Sequence, residues 1–313
     1  MKFVIASPRQ TGGGPIVLYK LAKVLQEQGY DASVFNLDKP SDNRRIFYFH
    51  YLTSMIEEGI RSFRIKLFPY SDCAKRHYQG YVYIPVKGCR MKYVPWVDSD
   101  TVVVYPETVR GNPLHATNVV RWLLYFNQYP EDEHWYSSDD LFVSYREKFF
   151  NKKLNPNNNL LKIFHFDKEL YRRVNEGERN GVCYIIRKGK HRKDLPSKYD
   201  GPILDDLTEV KKVEILNRCK ICYLYDTQTT YAEIAALCGC IPIVVMESGK
   251  TKADYITVED HSCGIAYGDS SEEISEAIRT RSEVIHRIDK KISENNENVL
   301  RFVELCRQHF DLN

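Results

Sequence analysis

Five basic side chains crowd one short stretch, "CYIIRKGKHRK", where Arg187, Lys188, Lys190, Arg192 and Lys193 follow an apolar run that reads as a buried strand. A second such run, Ile221–Tyr225, ends in Asp226 and then the hydroxyl residues Thr227, Thr229 and Thr230. Tyr231 opens a helical pattern whose Ala232, Ala235, Ala236 and Cys238 are small enough to pack closely on a sheet, and Gly239 ends it. Hydroxyls, helix N–H groups and cations thus gather at the C-terminal ends of neighbouring strands, the edge where open α/β sheets bind ligands. Guanidinium and ammonium groups beside N–H donors suit a diphosphate. Alone, the basic run would also fit a solvated loop; the two features together favour a site.

The N-terminus offers a second candidate. A polar loop leads from the apolar run Phe3–Ala6 to Gly12, Gly13 and Gly14, ahead of a helix with Val17, Leu18, Leu21, Val24 and Leu25 on one face and Gly29 beyond it. A dinucleotide fingerprint would start at the strand, yet Ser7 to Thr11 intervene, and Val17 replaces the third glycine. Asp38 does stand near the place of the ribose-binding acid. The "SGKT" at Ser248–Thr251 has Val244 where a P-loop needs glycine, and reads as a solvated loop. What remains is either a turn made by glycines or a helix N-terminus suited to an oxygen-rich or anionic ligand.

Glu107 follows the strand pattern Thr101–Tyr105 in a loop framed by Pro106 and Pro113, a placement from which a carboxylate could orient a hydroxyl group. His115 and His50 read mainly as a capping or exposed residue and a packed ring. Cys219, Cys222, Cys238 and Cys240 have the spacings of a zinc site, but they straddle strand and helix ends and read as buried small hydrophobes. The aromatics of "HWYSS" and "YSDCAKRHYQGYVY" fit a sugar-stacking surface or a core equally well.

These residues must be positioned by alternating strands and helices. Strands are expected at Phe3–Ala6, Ala32–Asn36, Tyr81–Pro85, Thr101–Tyr105 and Leu161–Phe164, then at Val182–Ile186, Ile221–Tyr225, Ile241–Val245 and Gly264–Tyr267. Helices are expected at Ile16–Gln28, Tyr51–Glu58, Ala116–Phe126, Val210–Arg218, Thr230–Cys238, Glu272–Arg279 and Val284–Glu294, with a separate final helix in "NENVLRFVELCRQHF". Such alternation predicts parallel α/β sheets, and 313 residues suit two domains, joined near 165–180. A net charge of +3 gives no global case for nucleic acid as a partner. Nine scattered cysteines, no basic-then-apolar leader and no window near the roughly 18 apolar residues of a span imply a cytoplasmic protein with reduced thiols. Abundant aromatics leave peripheral contact with the inner face of a membrane open.

Three segments carry a resemblance to a family. "TGGGPIVLYKLAKVLQEQGYDASVF", "YIIRKGK" and "TTYAEIAALCGCIPIVV" resemble the glycine loop and following helix, the donor-domain start, and the "EAxxxGxPVV" helix and strand of GT-B glycosyltransferases. The likeness is to the retaining, family-4-like type of bacterial surface-polysaccharide synthesis. It implies an α/β GT-B fold, two Rossmann-like domains facing across a cleft. Residues 1–170 would form the acceptor domain, 171–295 the nucleotide-sugar donor domain, and 296–313 a helix returning to the first. The implied reaction moves a sugar from a nucleotide-diphosphate sugar, UDP- or GDP-linked, to a glycan or lipid-linked acceptor, with retention of configuration and without metal or a separate cofactor.

The resemblance also implies roles. Arg187 and Lys193 match the basic pair that grips the donor diphosphate, with Lys188 and Lys190 as rivals. Gly12, Gly13 and Gly14 would lie beneath the donor sugar, Asp226 would contact it, and Thr227, Thr229, Thr230 and Tyr231 would line the donor site. The ribose-binding Glu of the family stands five residues before the Gly, where this chain has Ile234; Glu233 is one position off. That departure keeps two alternatives open: a non-catalytic nucleotide-sugar or glycan-binding subunit of the same fold, and an inverting GT-B enzyme. The oligomeric state is not readable.

Overall fold

The computed structural model describes residues 1–8, 13–37, 43–69, 71, 86, 88–125, 135–227, 229–256 and 262–312. The chain divides into two compact units: Met1–His165 together with the segment from Ile292 on, and Phe166–Lys291.

In the first unit β1 (Lys2–Ser7) leads to α1 (Gly13–Glu27), β2 (Asp31–Asn36), α2 (Arg44–Leu67) and the short β3 (Met91–Lys92). The chain then forms β4 (Thr101–Pro106), β5 (Asn118–Leu123) and β6 (Leu141–Ser144). All pair in parallel, in the order β3-β2-β1-β4-β5-β6. The chain therefore moves outward from β1 on one side and returns to β4 on the other, which makes the β1–β4 edge a topological switch point. Strand β1 is a nearly continuous apolar run because both its faces are covered. On one face, α1 buries Leu18, Leu21, Val24 and Leu25 against Phe3, Ile5, Val102 and Val104. On the other, Phe47 of α2 joins Val4, Ala6, Phe35, Val103 and Tyr105.

Two expectations are corrected here. Residues 118–123 of the expected helix Ala116–Phe126 are strand β5, paired with β4 and β6. Its apolar residues lie on both faces, so the run carries no alternation to tell a strand from a helix; the two open pairing edges decide. Residues 161–164 form no strand of their own. Ser144 and Leu160 make a single bridge, and beyond it Asn295 bonds the Phe164 N–H and carbonyl while Asn298 bonds the Lys162 carbonyl. The expected strand Tyr81–Pro85 lies outside the described residues.

The second unit holds β7 (Val182–Ile185), α3 (Glu209–Arg218), β8 (Ile221–Leu224), α4 (Tyr231–Leu237), β9 (Ile241–Val244), β10 (Ala266–Tyr267) and α5 (Ser271–Arg279). Its sheet is parallel, in the order β10-β9-β8-β7. Ile203 forms a parallel bridge to Tyr184 on the other side of β7. The chain thus leaves β7, returns along one flank at Ile203, and crosses to β8 on the opposite flank, so β7 is the switch point of this unit. Both units are Rossmann-like.

The two expected C-terminal helices are one, α6 (Ser282–Phe310), uninterrupted because neither Pro nor Gly occurs within it. From Ile292 on it belongs to the first unit, where Val299, Phe302, Val303 and Cys306 enter the core beside α1.

Candidate functional site

The C-terminal end of β7 turns sharply. Residues Arg187–His191 form a 3-10 turn, and Arg187 takes the left-handed conformation at φ 38°. Such a φ is strained for a non-glycine residue. It is held by Asp205, whose carboxylate accepts the N–H groups of Ile186 at 3.0 Å and Arg187 at 2.6 Å. The turn sits directly on the end of β8: a Cβ at Gly189 would lie 2.4 Å from the Tyr225 carbonyl oxygen, so only glycine fits.

This geometry sends the Arg187 side chain over the loop after β8. Its guanidinium lies 5.3 Å from the centre of the Tyr231 ring, and Nη1 donates to Thr229 Oγ1 at 3.4 Å. Thr229 Oγ1 also accepts the Tyr231 N–H at 3.3 Å. Thr230 is exposed at the cap position of α4 without a capping bond, and Asp226 is buried at the end of β8. Lys188, Lys190 and Lys193 are exposed and form no ion pair among the described residues.

Arg192, from the same basic run, has a different occupation. It pairs with Asp194 and donates to the carbonyls of Tyr225 at 3.2 Å, Val245 at 2.7 Å and Met246 at 3.3 Å. It ties the ends of β8 and β9 together and is scaffold.

Tyr231 is fixed from below by residues without any sequence signal. Its hydroxyl donates to Glu209 Oε1 at 2.5 Å and accepts from Lys212 Nζ at 2.9 Å, while Tyr171 donates to Glu209 Oε2 at 2.8 Å. Burial opposes ionisation of Glu209, but the bonds from Lys212, Tyr231 and Tyr171 outweigh it and hold its pKa below the ordinary carboxylate value. Glu209 and Lys212 stand three apart on a helix and look like a surface pair in sequence. Only the placement of Tyr171 and Tyr231 shows otherwise.

Glu233 is directed elsewhere. Its carboxylate pairs with Arg287 at 2.9 Å and approaches Lys291 at 3.9 Å, both on α6. The structure therefore brings Arg187, Thr229 and Tyr231 together and places Glu233 against another helix.

In the first unit, Glu107 follows β4 at the switch point and is 7% exposed. Burial raises its pKa, partly offset by the Leu124 N–H, which donates to Oε2 at 2.9 Å. Leu124 also borders Gly14, where an added Cβ would stand 3.5 Å from Leu124 Cδ1; at Gly13 a Cβ would meet nothing within 4 Å. Packing thus requires glycine at neither position, and Gly12 lies outside the described residues. The loop after β4 is held by Arg121, which pairs with Asp140 at 2.7 Å and donates to the carbonyls of Val109 at 3.2 Å and Gly111 at 2.7 Å. Tyr136, from the "HWYSS" segment, packs on Phe142 and under Arg121. His115 is an exposed turn residue at φ 50°.

Cys183, Cys219, Cys222, Cys238 and Cys240 are buried free thiols in the second unit. Among the described residues no group of three or more His, Cys, Asp or Glu side chains is placed to hold a metal ion. None of the described helices is long and apolar enough to cross a membrane.

No family model matches the chain, and no curated protein matches it. Solved structures with a similar chain path include an alpha-glucosyltransferase in complex with UDP-glucose and DNA containing an abasic site, at 12% identity, TM-score 0.41, covering 96% of this chain and 95% of that one. The spinosyn forosaminyltransferase SpnP has 12% identity and TM-score 0.40, with 98% and 99% covered. The glycosyltransferase SnogD from Streptomyces nogalater has 12% identity and TM-score 0.40, with 97% and 99% covered. At such scores no residue role passes from those proteins to this chain.

Proposed function

We propose that the chain is a GT-B glycosyltransferase that takes a nucleotide-diphosphate sugar at the β7–β8 edge of its second unit. One observation carries the reading: Arg187 is held at a topological switch point, over Tyr231 and against Thr229, with Lys188, Lys190 and Lys193 exposed nearby in sequence. These cations would offset the charge that develops on the diphosphate as the bond from the anomeric carbon to the phosphate oxygen breaks. The acceptor oxygen forms its new bond to that carbon, and in a retaining reaction its proton passes to the departing phosphate oxygen. Asp226 and Thr227 would meet the donor sugar. In the same reading the first unit takes a glycan or lipid-linked acceptor of polysaccharide synthesis, with Glu107 orienting the hydroxyl and Gly13 and Gly14 leaving backbone N–H groups open.

A second reading is a non-catalytic nucleotide-sugar-binding protein. It is favoured by Glu233, the nearest match to a ribose-binding acid, being occupied by Arg287.

The test is a thermal-shift screen of UDP, GDP, CMP, ADP, NAD and their common sugar conjugates against wild type, Arg187→Ala and Thr230→Ala. A nucleoside diphosphate should raise the midpoint of wild type and lose that effect in Arg187→Ala. Stabilisation by NAD alone, unchanged in the variants, would overturn the reading. Slow release of free sugar from the stabilising conjugate separates an enzyme from a binding protein.

A further inference from the structure

The first unit exposes an apolar row along α2. Phe49, Leu52, Ile56, Ile60, Phe63 and Leu67 are each between 51% and 65% exposed. Their spacing is three, four, four, three and four residues, which averages to the helical repeat and puts all six on one stripe. The opposite side holds α2 to the sheet: Phe47 is buried, and Tyr51 stacks on Phe35 at 5.7 Å between ring centres. The stripe therefore points away from its own core, and an apolar row of this length on a surface marks a contact with something else.

Charge says what that contact is. The helix carries Arg44, Arg45, Arg61, Arg64 and Lys66 against two glutamates. Arg44 and Arg45 are exposed in its first turn, where the helix dipole is positive and no acid is present to balance it. In water alone that placement is unfavourable; beside an anionic surface it is favourable. A second copy of the chain fits less well, because a coiled-coil seam continuing from Phe49, Leu52 and Ile56 would next need positions 59, 63 and 66. Those are Gly59, Phe63 and Lys66.

We propose that α2 lies on an anionic lipid surface, with the stripe entering the acyl boundary and the arginines at both ends meeting the headgroups. Membrane docking by α2 holds or fails independently of sugar transfer.

The experiment is flotation of the full chain with vesicles of phosphatidylcholine alone and with roughly one quarter phosphatidylglycerol. Wild type should float with the anionic vesicles, less well at high salt, and poorly with phosphatidylcholine. A Phe49→Ser, Ile56→Ser, Phe63→Ser variant should lose binding by roughly tenfold or more at either salt, with an unchanged thermal midpoint because these side chains are exposed. Arg44→Gln with Arg45→Gln should lose mainly the salt-sensitive part. Wild type remaining in the aqueous fraction would sink the proposal. So would light scattering that shows a dimer broken by the serine variant while vesicles are ignored. Any nucleotide-induced thermal shift should survive the serine substitutions, which keeps this test separate from that of the donor site.

Discussion

The two units present the same kind of strand edge and furnish it in opposite ways. At the β1–β4 switch of the first unit, the acid is largely withdrawn from water: Glu107 is 7% exposed, and burial is the main cause of its raised pKa. At the β7 switch of the second unit, cations stand in solvent, and two nearby acids are already engaged: Asp205 by two backbone N–H groups, Glu209 by Lys212, Tyr231 and Tyr171. A dry carboxylate suits a neutral hydroxyl partner, whereas exposed cations suit a ligand that arrives with its own charge. Each unit also uses arginine as scaffold, Arg121 on β5 in the first and Arg192 across β8 and β9 in the second. The same fold can therefore be specialised by choosing which charges are buried and which are left free.

The contrast can be broken at its structural end first. Arg121 is 1% exposed in its pair with Asp140, so Arg121→Met should cost about 3–5 kcal/mol in denaturant unfolding by leaving a buried carboxylate alone. Arg192→Met should cost less, about 1–2 kcal/mol, because Asp194 is 47% exposed and water can replace its partner. Equal losses would mean that the two partner carboxylates, Asp140 and Asp194, are not differently buried in solution.

The glycines provide a medium-sized test. Gly189→Ala forces the turn off Tyr225 and should cost about 1–3 kcal/mol together with any nucleotide response. Gly13→Ala meets no neighbour and should leave stability within about 1 kcal/mol of wild type. If that variant nevertheless weakens ligand binding, the glycine serves the ligand and not the turn.

The smallest effect is the difference in pH dependence between the two acids. Glu107 has a folded pKa above its ordinary 4.5, so its contribution to stability is fullest below 4.5 and is lost as pH rises through the folded value. Glu209 has a folded pKa below 4.5, so its contribution is present above 4.5 and is lost as pH falls through the folded value. Relative to wild type, Glu107→Gln should therefore gain stability as pH rises above 4.5, and Glu209→Gln should gain it as pH falls below 4.5. Thermal midpoints measured across that range would show the two differences running in opposite directions.

Much of this organisation was legible in the chain itself. Strands β1, β2 and β7 to β9, helix α1 and the basic run after β7 follow from consecutive residues, because period, capping and turn chemistry are local. The exposed and structural arginines of that run are not separable in sequence, since Arg187 and Arg192 differ only in what stands opposite them. Tyr225, Val245 and Met246 capture one, and Thr229 and Tyr231 receive the other. Strand β5 was misread for the same reason, its edges being filled by β4 and β6 and not by its own neighbours.

What the amino-acid sequence determined alone was the alternation of strand and helix and the gathering of cations and hydroxyls at strand ends. Tertiary structure decided which of those groups are spent on the scaffold, that Glu233 faces Arg287, and that Tyr171, Glu209 and Lys212 support Tyr231. The reason is physical: periodicity is set by residues a few positions apart, whereas the state of a buried charge is set by donors brought from elsewhere in the chain.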